Sequence, residues 1–190
     1  MIYLIRHGMT EANERRLYCG SSDLPLTENG RAALLKKRAE GEYPAAARGL
    51  LFSSGLRRCN ETAELLFGRA PDKIAEDLRE IDFGAFELRS YAELCGDEAY
   101  QRWITDESGD AAPPDGESSN AFKKRVIAAM CGIPDSAVIV CHGGVIACLM
   151  AHWFPEEGRH MYAWQPDFGC GYAVNGIKSY TEIPTTAPKR

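Results

Sequence analysis

The apolar positions of this chain alternate between short unbroken runs and longer, helically spaced stretches. Ile2-Tyr3-Leu4-Ile5 is a run of β-formers, and Ala137-Val138-Ile139-Val140-Cys141 is another; both read as strands buried on two faces. Gly49 to Ser53 predicts a further strand, and Lys73 to Asp77 a weaker one. The stretches between them have helical composition. Thr27 is placed to cap a helix that runs to about Glu42, and a second helix follows Ser54-Gly55 through Arg57 to Phe67. Leu88 to Gln101 reads as helical, Ser118 or Ser119 caps the helix carrying Phe122, Val126, Ile127 and Met130, and Val145 to Phe154 forms a buried helix. Cys170 to Ile177 and Lys178 to Ile183 read as two strands turning at Asn175-Gly176, and Pro184 to Arg190 as a frayed end. Met9 to Asp23 reads as a loop with one polar helical turn. Asp106 to Ser119, with Gly109, Pro113, Pro114 and Gly116, is the least regular stretch and reads as a surface loop, with a mobile flap as the alternative.

Strand–helix–strand order of this kind predicts an α/β fold with a parallel sheet covered by helices on both faces. Neither an internal repeat nor a long linker divides the chain, so residues 1–190 are expected to form a single domain.

Both buried runs end in a histidine beside glycine: Arg6-His7-Gly8 after the first, His142-Gly143-Gly144 after the second. Open α/β sheets bind ligands outside the carboxyl ends of their strands. The expected topology therefore gathers Arg6, His7, Arg58, Glu80 and His142 at one place. A strand-end histidine alone is more often a hydrogen-bonded structural residue, and Arg-His-Gly is a short motif; the second His-Gly-Gly changes that balance. Two guanidiniums and two imidazoles around one point suit a compact dianion, phosphate first, because an arginine fork meets phosphate oxygens in pairs. His142 precedes a glycine pair at a helix start, where free N–H groups and the helix dipole also favour an anion. A neutral His7 nitrogen can attack phosphorus in line, and Glu80 can protonate the departing alkoxide and later activate water.

No metal pattern competes: the four histidines show neither HExxH nor Cys/His finger spacing. A Gly-x-Ser-x-Gly elbow and a P-loop are also missing, and neither a metal nor another cofactor is expected. The net charge of −5 argues against a nucleic-acid or anionic-membrane binder, so an anionic ligand must be attracted by the local arginines. No apolar run approaches membrane-spanning length. Seven cysteines, with no CxxC pair and no secretory leader ahead of the first strand, point to a reducing cytoplasm. Cys131, Cys141 and Cys148 lie in apolar stretches, where a thiol behaves as a small hydrophobe. The expected partner is a small phosphorylated metabolite, and no pattern specifies an oligomeric state.

Leu4-Ile5-Arg6-His7-Gly8, with Thr10, Asn13 and Leu26-Thr27-x-x-Gly30, resembles the opening of the histidine phosphatase superfamily, which includes the phosphoglycerate mutases. Four further stretches resemble that family's motifs in order: Ser54-x-Leu56-x-Arg58-x-x-x-Thr62-Ala63-Glu64, Leu78-x-Glu80-x-x-Phe83-Gly84-x-Phe86-Glu87, Gly116-Glu117-Ser118 with Phe122, Arg125 and Val126, and Val140-x-His142-Gly143-Gly144. The resemblance implies a phosphoglycerate mutase-like three-layer α/β/α sandwich with a mostly parallel central sheet. It also implies metal-independent phosphomonoester hydrolysis through a phosphohistidine. His7 is then the nucleophile, Glu80 the general acid, and Arg6, Arg58 and His142 the groups that hold the phosphoryl oxygens. Asn13, Gly143, Gly20 and Ser21 are candidate phosphate or substrate contacts. The register from Thr62 and Ala63 selects Arg58 over Arg57, which is left as a solvated helix charge. Glu87 fits the motif and is open between holding the loop after Gly84 and joining the chemistry. Cys19 is expected beside the substrate and not as a nucleophile, and His152 and His160 are expected to be structural or exposed.

Within that family, Glu87-Leu88-Arg89 and Asp167-Phe168-Gly169-Cys170 are similar to the α-ribazole phosphatases of cobalamin assembly, although Phe86 stands where tryptophan is expected. A broad-specificity small-molecule phosphatase is the alternative. A phosphoglycerate mutase ranks lower, because the glycolytic mutases carry longer insertions after the third motif. A catalytically silent phospho-ligand binder also ranks lower, since a degenerate member would have lost one of the charged positions retained here. No exposed apolar stripe supports a regulatory interaction module.

Overall fold

The structure is a computed structural model that describes residues 1–46 and 49–186. Its strands are β1 (Ile2–Arg6), β2 (Gly41–Glu42), β3 (Leu51–Ser53), β4 (Lys73–Ile74), β5 (Val138–Cys141), β6 (Gly171–Asn175), β7 (Ser179–Ile183) and β8 (Thr185–Thr186). Its α-helices are α1 (Glu11–Glu14), α2 (Glu28–Glu40), α3 (Arg57–Phe67), α4 (Tyr91–Leu94), α5 (Glu98–Ile104), α6 (Ser119–Ala129) and α7 (Gly143–Trp153). Six strands make one sheet in the order β4-β3-β5-β1-β6-β7. The first four of that order run parallel, and the β6–β7 hairpin adds an antiparallel edge.

Successive strand residues face opposite sides of a sheet, and here each side has its own helices. Leu4, Phe52, Ile139, Tyr172 and Val174 pack with Phe122 and Val126 of α6 and with the buried length of α7. Ile5, Leu51, Val138, Val140 and Ala173 face the other way, onto Leu34 of α2 and Cys59, Ala63 and Leu66 of α3. The three-layer α/β/α arrangement with a mostly parallel sheet follows. A smaller cluster of Phe86, Leu94 and Tyr100, with Tyr18, Phe83 and Trp103 against it, lies under the loops.

Where elements depart from expectation, local chemistry gives the reason. Leu88 to Gln101 is not one helix: Leu88 has a left-handed backbone (φ 58°), and Ser90 starts the single turn of α4 through a capping box with Glu93. Gly96 then separates it from α5, whose cap Asp97 accepts from the N–H groups of Ala99 and Tyr100. The strand expected over Lys73 to Asp77 shortens to β4 and gives way to a 3-10 turn at Glu76–Leu78. Helix α2 stops at Glu40 because Gly41 is extended and begins β2. Thr185–Thr186 is not frayed but pairs antiparallel with Gly41–Glu42; residues 187–190 lie outside the described residues. Ser118, not Ser119, caps α6. The irregular 106–119 stretch is braced from within: Asp106 accepts from the Ser108 and Ala111 N–H groups, and Asn120 donates to the Ser108 carbonyl and to Asp110.

Candidate active site

Strands β1 and β5 are parallel neighbours with Arg6 opposite Cys141, so the next residue of each, His7 and His142, leaves the sheet at the same edge. Their rings meet edge to face with centroids 5.2 Å apart. Gly8 has no room for a side chain, since a Cβ there would fall 2.6 Å from Leu34. Its N–H donates to Thr62 Oγ1, which donates in turn to the Arg58 carbonyl. The strand end is thereby fastened to the turn of α3 that carries Arg58.

The tautomer of His7 follows from its neighbour. Nδ1 is 2.6 Å from the Gly8 carbonyl. A carbonyl only accepts, so Nδ1 carries the proton and Nε2 keeps its lone pair. The residue is 6% exposed. Burial, then the charge of Arg58, holds its pKa well below the usual histidine range, with Arg6 acting in the same sense. His142, which is buried, is kept neutral the same way, by burial first and Arg58 next. Its Nε2 lies 2.8 Å from Ser54 Oγ, with the Cys59 sulfur at 3.6 Å.

Both arginines are tethered by their terminal nitrogens. Arg58, 1% exposed, donates from Nη1 to the Ser22 carbonyl and from Nη2 to the Gly20 carbonyl, each at 2.7 Å. Arg6 donates from Nη1 to the Pro166 carbonyl at 2.8 Å. With the Gln165 amide oxygen turned towards it, Nη2 and Nη1 also reach that oxygen at 2.9 and 3.1 Å. The Phe168 ring lies 3.8 Å from the Arg6 guanidinium carbon, a cation–π contact. Among the described residues, the buried Nε–H of each arginine has no partner. Leaving a buried donor unmatched costs about 1–3 kcal/mol, and more on a charged group. Two such donors near His7 suit an anionic oxygen.

Glu80 is held by backbone amides: Oε1 accepts from Ile81 at 3.0 Å and Oε2 from Gly144 at 2.8 Å. These bonds and the two arginines favour the carboxylate, but burial outweighs them and raises its pKa above the ordinary glutamate value. Glu87 has a different task. Its Oε1 accepts from Gly20, Ser21 and Phe83 at 2.9, 3.0 and 3.1 Å, and its Oε2 from Ser22 at 3.2 Å. Of the two readings left open for Glu87, the geometry favours holding a loop, and that loop is 20–22, whose carbonyls anchor Arg58. Glu87→Ala leaves four N–H groups without their acceptor and should cost about 2–4 kcal/mol in urea unfolding, with weaker binding of orthophosphate. Unchanged stability and unchanged phosphate affinity would remove this role.

A cavity of about 180 Å³ opens in front of Arg6, His7 and Glu80, and the buried Arg58 and His142 are not part of its lining. Arg6, His7, Asn13, Glu80, Gly143 and Gln165 contribute its polar lining, and Leu17, Tyr18, Cys19, Phe83, Phe122 and Tyr162 are among the rest. Asn13 spends its Oδ1 on the Thr10 N–H and hydroxyl, so its Nδ2 is the group it can offer a ligand. Gly20 and Ser21 do not line this cavity. The Gly20 amide and carbonyl are taken by Glu87 and Arg58. The Ser21 hydroxyl donates to Asp82 at 2.9 Å and lines an adjoining open cleft of about 720 Å³ that also reaches Glu80. Arg57 pairs with Glu61 on the surface, and His152 and His160 are exposed.

Sequence reasoning does not single out Gln165 and Pro166, and it uses Phe168 only as part of a subgroup resemblance. The topology holds the missing signal: β6 runs antiparallel to β1 with Gly171 opposite Ile5, so the residues just before β6 must lie where β1 ends. Among the described residues no three His, Cys, Asp or Glu side chains are grouped to hold a metal ion, and no helix is long and apolar enough to cross a membrane.

Comparison with known proteins agrees with this geometry. Residues 2–180 match the family model of the histidine phosphatase superfamily (branch 1). The chain is 33% identical over 191 residues to the adenosylcobalamin/alpha-ribazole phosphatase of Salmonella typhimurium, covering 96% of this chain and 93% of that protein. The crystal structure of the alpha-ribazole phosphatase from Shigella flexneri superposes with a TM-score of 0.79 at 29% identity, over 98% of this chain and 96% of the other. That of a phosphoglycerate mutase from Thermus thermophilus gives 0.72 at 32% identity, over 92% of each chain.

Proposed function

The chain belongs to the histidine phosphatase superfamily, and from that premise we propose that it hydrolyses the phosphomonoester of a small metabolite, with His7 as the covalent nucleophile. The observation that carries this reading is a buried neutral imidazole with a free Nε2 between two arginines that each keep one unmatched N–H. In the first step the Nε2 lone pair attacks phosphorus as the P–O bond to the alcohol breaks. Positive charge developing on the ring is met at Nδ1–H by the Gly8 carbonyl. Arg6, Arg58, His142 and the Gly143 N–H, at the start of α7, stabilise the phosphoryl oxygens. Glu80, whose raised pKa keeps its proton available, gives that proton to the leaving alkoxide. In the second step water attacks the phosphohistidine, Glu80 takes its proton, the P–N bond breaks, and orthophosphate and neutral His7 result.

The lining of the cavity bears on the substrate. Among the described residues Arg6 is its sole lysine or arginine, and beyond the polar groups it presents aliphatic and aromatic side chains. A phosphoglycerate brings a carboxylate, which would find Glu80 and no further cation within that cavity, since Arg79 and Arg125 line only the adjoining cleft. An ester with an apolar or aromatic body fits better. Together with the relative named for alpha-ribazole, this supports α-ribazole 5′-phosphate as the substrate. Phosphate release from that compound, from 3-phosphoglycerate and from p-nitrophenyl phosphate, with chelator present, tests it. We expect kcat/KM for α-ribazole 5′-phosphate to exceed that for 3-phosphoglycerate by about 10²-fold or more, the scale of one unmet buried charge. Equal, slow turnover of all three would leave a broad-specificity phosphatase; no turnover of any would leave a binder.

A further inference from the structure

The segment that presents Glu80 belongs to no strand or α-helix. It leaves the 3-10 turn at Glu76–Leu78 and runs irregularly to Gly84, so no ladder of backbone bonds fixes it. One side chain from another layer reaches it instead. Arg125, on α6, points three donors at its carbonyls: Nη1 to Asp77 at 2.8 Å and to Arg79 at 3.1 Å, and Nη2 to Glu80 at a longer 3.5 Å. Its remaining two donors go to Glu117, Nε to Oε1 at 2.9 Å and Nη2 to Oε2 at 2.6 Å. All five N–H groups of the guanidinium are thereby used. Glu117 is itself fixed by its backbone, whose N–H donates to the Asp82 carbonyl at 2.9 Å.

We propose that Arg125, aimed by Glu117, is the positioning residue for Glu80, holding the backbone from which that carboxyl reaches the reacting oxygen. The proposal rests on the role of Glu80 as proton donor given above. A fork with five fixed donors can gather three carbonyls and a carboxylate, and a lysine's single ammonium cannot. Arg125 does not line the cavity that holds His7, although it lines the adjoining open cleft together with Glu80. The pair also ties the loop before α6 to the acid, which makes the 113–118 segment part of the support of the site and not a free flap.

The test exploits leaving groups. An easily expelled phenolate needs no proton from an acid, and a poor one does. Wild type, Glu80→Gln, Arg125→Met, Arg125→Lys and Glu117→Gln are assayed on substituted phenyl phosphates from p-nitrophenyl to p-methoxyphenyl. We expect Arg125→Met to lose about 10–100-fold in kcat on the p-methoxyphenyl ester and less than about 3-fold on the p-nitrophenyl ester, a fraction of a full general-acid effect. KM should move little, and Arg125→Lys should follow in the same direction. In a Glu80→Gln background, Arg125→Met should add no further dependence on the leaving group, because the two act as a unit. A parallel loss across the series in both Arg125 variants would make the residue merely structural and overturn the proposal. No loss in either would overturn it too. If Glu80→Gln itself shows no leaving-group dependence, the acid is assigned wrongly and the proposal falls with it. If only Glu80→Gln shows it, the acid stands and the positioning role is refuted.

Discussion

Replacing His7 with alanine should abolish turnover, lowering kcat by on the order of 10⁵–10⁶-fold, the scale seen when a hydrolase loses its covalent nucleophile. The size follows from the chemistry. Uncatalysed phosphate-monoester hydrolysis is among the slowest reactions known, with accelerations reaching about 10²¹-fold. A donor cradle without a nucleophile supplies only part of that. The variant keeps Arg6 and Arg58 with their carbonyl tethers, so it should still bind orthophosphate. Wild-type enzyme mixed with labelled substrate and quenched in alkali should carry label on a histidine, and His7→Ala should carry none. A residual rate within about tenfold of wild type would remove the covalent step.

Glu80→Gln should cost about 10²–10⁴-fold in kcat on alkyl esters, the range of a positioned general acid. The amide also turns an NH2 towards one of the two N–H groups, at Ile81 and Gly144, that now donate to the carboxylate. The pH profile carries the sign of the effect. The working form has His7 neutral and Glu80 protonated. Because the His7 pKa is depressed, the acid limb moves to lower pH than for a free histidine. Because the Glu80 pKa is raised, the alkaline limb begins at higher pH than for a free glutamate. Rate is therefore lost as pH rises through the Glu80 pKa, and that limb should vanish in Glu80→Gln. An unchanged alkaline limb in the variant would assign it to another group.

Much of the site was legible because strand ends are. Ile2–Ile5 and Val138–Val140 are uninterrupted apolar runs, and each stops at a histidine beside glycine; period and punctuation sufficed to bring His7 and His142 together. Arg58 and Glu80 were read as an anion-holding group and a proton donor from chemistry alone, but choosing Arg58 over Arg57 needed the family register, since charged residues on a helix carry no periodic mark. Gly20 and Ser21 show the limit of adjacency. They lie next to site residues in sequence, but their polar groups are consumed by Glu87, Arg58 and Asp82. Gln165 was missed, and Arg125 was read only as a motif residue, for the opposite reason: they reach their partners at Arg6 and Glu80 from 159 and 45 positions away, and only the folded sheet and α6 reveal that proximity. The helix expected over Leu88 to Gln101 failed on caps: Ser90 and Asp97 each open a new helix, and their side-chain bonds outweigh the propensity of the residues between.

The placement of β1 bears on how the chain is made. Among the described residues it pairs only with β5 and β6, strands that begin at Val138 and Gly171. During synthesis the strand that leads into the nucleophile emerges before both of its partners, with its apolar residues and unpaired backbone exposed until most of the described chain has been translated. Non-local pairing of this kind is slow and prone to association. Stalled or truncated chains ending before Val138 lack both neighbours of β1, so they contain the His7 motif but cannot build the edge on which it works.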